Sequence, residues 1–474
     1  MVNATKIIAT LMVLLVSCLA FANPAKAITD PFAVSNNRFG IHILEQKDID
    51  NAASLVNSNG GTWGYVTLVI QDNDRDKEKW QNIFDQLREK HLIPIVRLAT
   101  HGVGETWVKP SVGEAPAWAS FLDSLNWVIQ NRYVVIFNEP NHAFEWGGVV
   151  SPSEYADVLF AYSKALKTQN SDFFALNAGF DASASNGGDT MDEQQYLSSM
   201  VNHNSQVFDY LDGWSSHSYP NPGFSSSPDK SGRGSIKSYE WEESTLQSLG
   251  IQKKLPIFIT ETGWSRDNLS EDTIAQYYEK AYQAVWNDNR IVAVTPFVFD
   301  FQGPPFANFS WKKADGLAAQ FSTVQGLNKV LGTPKQVENI SLVDGLGEDL
   351  VSNTTYFFLL KIKNSGQAIW EENQGYRFIT ESSGIQTSLI PAVISHIKPN
   401  DEIDLPITVK TPTDPGAYTL RISLVRGDTI LENSVTRKIT VRSPEVKGAQ
   451  TNGFWDIFLY PRKLLTFLKK VSKV

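Results

Sequence analysis

Val134-Val135-Ile136-Phe137-Asn138-Glu139-Pro140-Asn141 is a run of four β-prone apolar residues that closes on an Asn-Glu pair and is stopped by proline. A wholly apolar run of this length, bounded by turn residues, fits a strand buried on both faces, as in parallel sheets covered by helices. A second such run, Ile257-Phe258-Ile259-Thr260, closes on Glu261 and turns at Thr262-Gly263-Trp264. Outward from these two, residues 39–43, 63–70, 93–98, 174–178, 213–217 and 292–299 repeat the pattern. Helix-length amphipathic segments, among them 77–90, 153–167, 239–249 and 272–286, lie between them. Eight strand–helix units between residues 36 and 331 predict a closed (β/α)8 TIM barrel rather than an open doubly wound sheet. No glycine-rich dinucleotide-binding turn follows the first strand.

In such a barrel the reactive groups stand at the C-terminal ends of the strands. Glu139 and Glu261 end strands four and seven, which sets them across the barrel mouth with both side chains able to face the axis. Glycosidic cleavage needs two such carboxyls: one protonates the leaving oxygen, and the other attacks or stabilises the oxocarbenium-like carbon. A gap of about 5 to 5.5 Å gives retention and about 6.5 to 9.5 Å gives inversion. The plain alternative is a pair of surface acids beside loop turns. His217 and Tyr219 close strand six and are expected either at the site or as a satisfied His and a packed Tyr beside the 220–222 turn. Arg97 interrupts the apolar run 93–98, where an unpaired charge is costly, so it is expected to hold Glu261 charged or to form an ion pair unconnected with chemistry. His42, near the end of strand one, reads as a core or rim histidine.

Asn138-Glu139-Pro140 and Glu261-Thr262-Gly263-Trp264, each at its strand end, resemble the motifs of clan A glycoside hydrolases, and the resemblance covers the whole barrel. It implies a retaining double displacement with Glu139 as acid/base, Glu261 as nucleophile and Asn138 hydrogen-bonding the sugar 2-hydroxyl. His217, Tyr219, Arg97 and Trp264 are carried with them as substrate-binding positions. A β-linked polysaccharide or glycoconjugate is the implied substrate, with no cofactor. One departure stands out: many members end strand eight with a Trp platform, whereas this chain offers Phe297, Phe299 and Phe301 there. Stacking on the sugar then falls to a phenylalanine or to Trp107, Trp146, Trp264 or Trp311 from loops. The competing reading is a non-catalytic glycan-binding or adhesion protein on a degenerate barrel; the two intact glutamates weigh against it.

The chain of 474 residues is long enough for two domains. A net charge of -9 argues against a nucleic-acid partner. The 13 Trp, 15 Tyr and 26 Phe suit sugar stacking and core filling equally. Lys6, the apolar run 7–21 and Ala25-Lys26-Ala27 read as a signal peptide spanning 1–27, so export is expected. Leu15-Val16-Ser17-Cys18 offers the alternative of a lipobox, with lipid on the chain's one cysteine.

The barrel domain is expected over 28–333. Near Thr333-Pro334 the texture changes to short alternating strands at 355–362, 377–380, 402–409, 417–424 and 435–441. This predicts a second, smaller β-sandwich over 334–443, similar to bacterial immunoglobulin-like modules in Lys363-Asn364-Ser365-Gly366, Trp370 and Pro415-Gly416-Ala417-Tyr418. It is expected to serve as a spacer or as a carbohydrate-binding module. The linker and tail, 444–474, end in a basic amphipathic segment at 454–474, expected to contact an anionic membrane surface or to dock on a domain.

No metal is expected. Asp72, Asp74, Asp76 and Glu78 imitate a calcium loop but have Lys77 where Gly is required and Ile83 where a bidentate acid is required, so the run reads as a helix cap. No H-E-x-x-H or G-x-S-x-G motif occurs. The Ser-, Gly- and Pro-rich loop 220–234 leaves strand six on the active face, and is expected to border the cleft or to move freely on the surface.

Overall fold

A computed structural model describes residues 28–390 and 394–444. The expected signal peptide and basic tail lie outside the described residues. The chain divides into two compact units. The first runs to Asn339 and takes in Asn364–Trp370 and His396–Asp401, and the second begins at Ile340.

In the first unit, β1 (Gly40–His42), β2 (Gly64–Gln71), β3 (Leu92–Ala99), β4 (Arg132–Ile136) and β5 (Phe173–Asn177) form one parallel sheet. A second is made by β6 (Trp214–His217), β7 (Ile257–Glu261) and β8 (Ile291–Val294). Parallel bridges Leu176↔Gly213 and Phe39↔Val294 join the two into a closed barrel. After each strand comes one helix: α1 (Ile49–Val56), α2 (Lys77–Glu89), α3 (Ala115–Asp123), α4 (Pro152–Gln169), α5 (Glu193–His203), α6 (Ser238–Ser248), α7 (Glu271–Lys280) and α8 (Ala319–Gly326). This is the expected (β/α)8 order.

Helix α2 shows why these segments fold as they do. Trp80, Ile83, Phe84 and Leu87 recur at helical spacing and are buried. Each contributes about 1.5 to 3 kcal/mol on leaving water. Asp76 caps the helix, accepting from the backbone N–H groups of Glu78 (2.9 Å) and Lys79 (3.1 Å), as the helix-cap reading of the acidic run expected. Phe84→Ala would cost about 3 to 5 kcal/mol through the cavity it leaves.

Inside the barrel Tyr133 packs against Phe174 and Phe258 with ring centroids 5.0 Å away in each case, and Tyr65 adjoins at 6.2 Å. These rings fill the interior below the mouth. Strand eight ends earlier than expected, at Val294, because Pro296 has no N–H to continue the ladder. The chain nevertheless stays between its neighbours, Phe297 N–H donating to Thr262 O (2.9 Å) and Phe299 N–H to His42 O (2.9 Å). Phe297 is thereby carried to the mouth.

The second unit holds two four-stranded sheets. One, in the order β9-β11-β14-β13, comprises β9 (Ile340–Asp344), β11 (Thr355–Asn364), β14 (Glu402–Lys410) and β13 (Gln386–Leu389). The other, β10-β16-β15-β12, comprises β10 (Asp349–Val351), β16 (Thr429–Arg442), β15 (Gly416–Arg426) and β12 (Tyr376–Ser382). Alternate residues Leu405, Ile407 and Val409 on β14 and Leu420, Ile422 and Leu424 on β15 are buried. A period of two is what facing sheets require.

Candidate active site

At the C-terminal ends of the strands opens a cavity of about 490 Å³. Glu139 and Glu261 both line it, with Arg97, Asn138 and Tyr219. The turn carrying Glu139 is held in uncommon backbone geometry: Phe137 has φ 70° and Glu139 φ 28°, left-handed values that cost of order 1 to 3 kcal/mol each outside glycine. Two backbone bonds pin it, Glu139 N–H to Gly179 O (3.1 Å) and His142 N–H to Glu139 O (2.9 Å). The strain is local to the position where a carboxyl must be aimed.

Glu261 is the last residue of β7 and only 8% exposed. The Tyr219 hydroxyl donates to its Oε2 (3.1 Å), and Arg97 Nη1 lies 3.6 Å from its Oε1. His217 Nδ1 is 3.8 Å from Oε2, and His42 Nδ1 is 3.8 Å from Oε1. Burial alone would raise its pKa, but the His217 and Arg97 charges and the Tyr219 hydrogen bond outweigh it, so the carboxyl sits below its ordinary value and stays ionised. His42 is fully buried and pushed down to about 3, chiefly by desolvation, and is therefore neutral at neutral pH. The cations that hold Glu261 are Arg97 and His217. His42, read from sequence as a core or rim residue, is a core residue that also abuts the site.

His217 joins the two carboxylates. Its Nδ1 is 2.8 Å from Glu139 Oε1. Burial pulls its pKa down, but the charge of Glu261 and the contact with Glu139 prevail, and the net shift is upward. Tyr219 is raised well above its ordinary value, first by burial and then by the two glutamates, so it remains a hydroxyl donor.

Asn138 is present at the cavity, but its Nδ2 donates to Glu145 Oε1 (3.1 Å). Trp264 departs from expectation. It does not line the cavity; it is 2% exposed, packs against Tyr278 (4.8 Å) and Tyr277 (5.6 Å) of α7, and donates its indole N–H to Ser226 O (2.8 Å). Three residues past Glu261 the chain has turned outward, toward the helix layer. Trp146 and Trp311 are likewise buried, whereas Trp107 lines the cavity. From strand eight only Phe297 reaches it, joined by Phe306 and Phe309, while Phe224 brings the 220–234 loop to its border.

Sequence reasoning missed Glu145, His142 and Asp181, all on the cavity wall. Asp181 follows β5 by four residues and obeys the same strand-end rule that found Glu139. Its Oδ2 is 2.9 Å from His142 Nε2. Burial would raise the pKa of Asp181, but the His142 hydrogen bond holds it below the ordinary carboxylate value. Glu145 comes from a short 3-10 turn, Ala143–Trp146, which no apolar period announces.

Glu139, His217 and Glu261 each present one atom within 4.8 Å of the others, and are the one such group among the described residues compact enough to hold a metal ion. Arg97 already supplies a positive charge beside Glu261, which disfavours a divalent cation there.

No protein-family profile matches the chain, and no curated relative does. Among solved structures it is similar to a glucosidase from Croceicoccus marinus, at 10% identity over 86% of this chain and 94% of that one, TM-score 0.46. It is similar to a family 39 glycoside hydrolase from Bacteroides cellulosilyticus, at 12% identity over 81% and 82% of the respective chains, TM-score 0.44. A family 128 endo-beta-1,3-glucanase from Sorangium cellulosum aligns at 18% identity over 61% of this chain and 96% of that one, TM-score 0.40. The functional reading rests on the carboxylates themselves.

Proposed function

We propose that the barrel is a glycoside hydrolase that cleaves β-linked glycans with retention of configuration. The observation that carries this reading is the pairing of Glu139 and Glu261, which face one cavity with carboxylate oxygens within 4.8 Å of each other. Oxygens this close support retention, since inverting pairs hold their carboxyl groups about 6.5 to 9.5 Å apart to admit a water between them.

Glu261, kept ionised by Arg97 and His217, attacks the anomeric carbon as the glycosidic bond breaks. Glu139 gives the leaving oxygen its proton, with His217 Nδ1 2.8 Å away to orient its carboxyl. A glycosyl ester on Glu261 results. Glu139, now a base, takes a proton from water, which attacks the same carbon and frees Glu261. Aromatic rings in the cavity lining, Trp107, Phe297, Phe306 and Phe309, suit the apolar faces of sugar rings. The amino-terminal segment supports an extracytoplasmic place of action, where polymeric glycans occur, and the basic tail would hold the protein near a membrane surface.

The test is hydrolysis of a panel of β-glycans and aryl β-glycosides by the mature protein beside Glu139→Gln and Glu261→Gln. Activity lost in both variants and indifferent to EDTA is the expected result. Binding without turnover would point to a glycan-binding protein, and loss of activity on chelation to a metal held by Glu139, His217 and Glu261.

A further inference from the structure

The carboxyl of Glu145 takes no part in the bond cleavage described above, yet it shares the cavity with Glu139 and Glu261 and makes one defined contact there, accepting from Asn138 Nδ2 at 3.1 Å. Asn138 Oδ1 is buried and has no hydrogen-bond partner. An unsatisfied buried carbonyl is costly, of order 1 to 3 kcal/mol, and a group left in that state at a binding site awaits a ligand donor. An amide can face either way, so the partner of its nitrogen decides which atom remains for the ligand.

Resting on the glycosidase reading, we propose that Glu145 is a positioning residue: it holds Asn138 by the amide nitrogen and so commits the Asn138 carbonyl oxygen to accept from the sugar's 2-hydroxyl. The site then demands a hydrogen-bond donor at the 2-position, and sugars with a 2-deoxy centre or an acceptor-only 2-substituent are poor substrates. A carboxylate is needed for this, because a carboxylic acid could instead donate to Asn138 Oδ1 and release the amide to flip.

The charged and titratable groups facing Glu145 are Arg97 from β3, Glu139 and His142 after β4, and Glu261 from β7. Burial, with repulsion from Glu139 and Glu261, raises its pKa to about 7 against the pull of Arg97 and the Asn138 hydrogen bond. The Asn138 orientation is therefore most firmly set above that pH and loosens below it.

The experiment compares an aryl β-glycoside that the full chain cleaves with its 2-deoxy counterpart, in wild type, Glu145→Ala and Glu145→Gln, across pH 5.5 to 8.5. In wild type, loss of the 2-hydroxyl lowers kcat/KM by about tenfold or more, and the ratio grows as pH rises through the Glu145 titration. Glu145→Ala brings the ratio close to unity. Glu145→Gln, whose amide N–H can donate to Asn138 Oδ1 as the protonated acid can and which cannot ionise, gives a smaller ratio that no longer varies with pH. A Glu145→Ala enzyme that retains the wild-type ratio, or a Glu145→Gln ratio with the wild-type pH dependence, overturns the proposal and leaves the glycosidase reading intact. Absence of turnover by wild type on every glycoside overturns both.

Discussion

Gly179 and His217 stand so close that no side chain fits between them. A β-carbon on Gly179 would lie 2.0 Å from Cδ2 and 2.4 Å from Nε2 of the imidazole. Glycine at the end of strand five is thus a condition for the ring that joins the two glutamates. Gly179→Ala is expected to push His217 off Glu139 and lower kcat by about tenfold or more, since misplacement by about 1 Å can cost a hundredfold. Steady-state kinetics on protein shown to be folded by circular dichroism make the check; an unchanged kcat would mean that the His217 contact is dispensable.

Arg97 is one of the cations that keep Glu261 ionised, after His217. Removing it lets the burial of Glu261 raise the pKa. Catalysis needs the ionised carboxylate, so the acidic limb of the kcat/KM profile of Arg97→Met is expected at higher pH than in wild type. An acidic limb that does not move would assign Arg97 to packing alone.

Trp264 and Phe297 exchange the roles that sequence proximity to the motifs suggests. Phe297 is at the cavity, its ring centroid 5.2 Å from those of His42 and Phe306, while Trp264 is enclosed by α7. Phe297→Ala is expected to raise KM severalfold with little change in thermal stability. Trp264→Phe is expected to cost about 1 to 3 kcal/mol of stability through the lost indole hydrogen bond and packing, with KM preserved. Thermal melts and KM measured on both variants separate the roles; a raised KM in Trp264→Phe would return that residue to the site.

Glu193, the first residue of α5, is buried and neither of its carboxylate oxygens has a hydrogen-bond partner. Burial, then the charge of Glu242, pushes its pKa well above the ordinary value, and Glu242 is itself raised to about 7, chiefly by burial. An acid whose folded pKa is raised holds its proton more tightly in the native state. Its contribution is intact below the unfolded carboxylate pKa and is lost as pH climbs toward the raised values. Glu193→Gln removes that penalty, so its melting temperature is expected to exceed wild type by a few °C at pH 8 and to approach it at pH 5. A difference that is the same at both pH values would show that Glu193 does not titrate in this window.

The barrel was legible because its strands are buried on both faces and so read as unbroken apolar runs; strand boundaries came within one to two residues except at strand eight, where Pro296 stopped the ladder and the hydrophobic run continued as loop. Glu139 and Glu261 were legible because an acid that closes an apolar strand has few structural reasons to be there. Arg97, His217 and Tyr219 follow from the same rule and converge on Glu261 in the structure. Asp181 obeys it too, but lies four residues past β5 and so escaped notice. Glu145 and His142 could not be read, since they reach the cavity from a loop whose path is set by turns and tertiary hydrogen bonds rather than by a period. The strands 340–344, 349–351 and 386–389 of the second unit were missed for being short and weakly apolar.

The most direct test is to identify the residue that becomes glycosylated. Incubation with an activated 2-deoxy-2-fluoro β-glycoside of the sugar the protein cleaves should slow release of the intermediate enough for mass spectrometry. The account predicts a mass increase of one glycosyl unit, located on the peptide that contains Glu261 and absent from Glu261→Gln. An adduct on Glu139, or on any peptide that lacks Glu261, would contradict it.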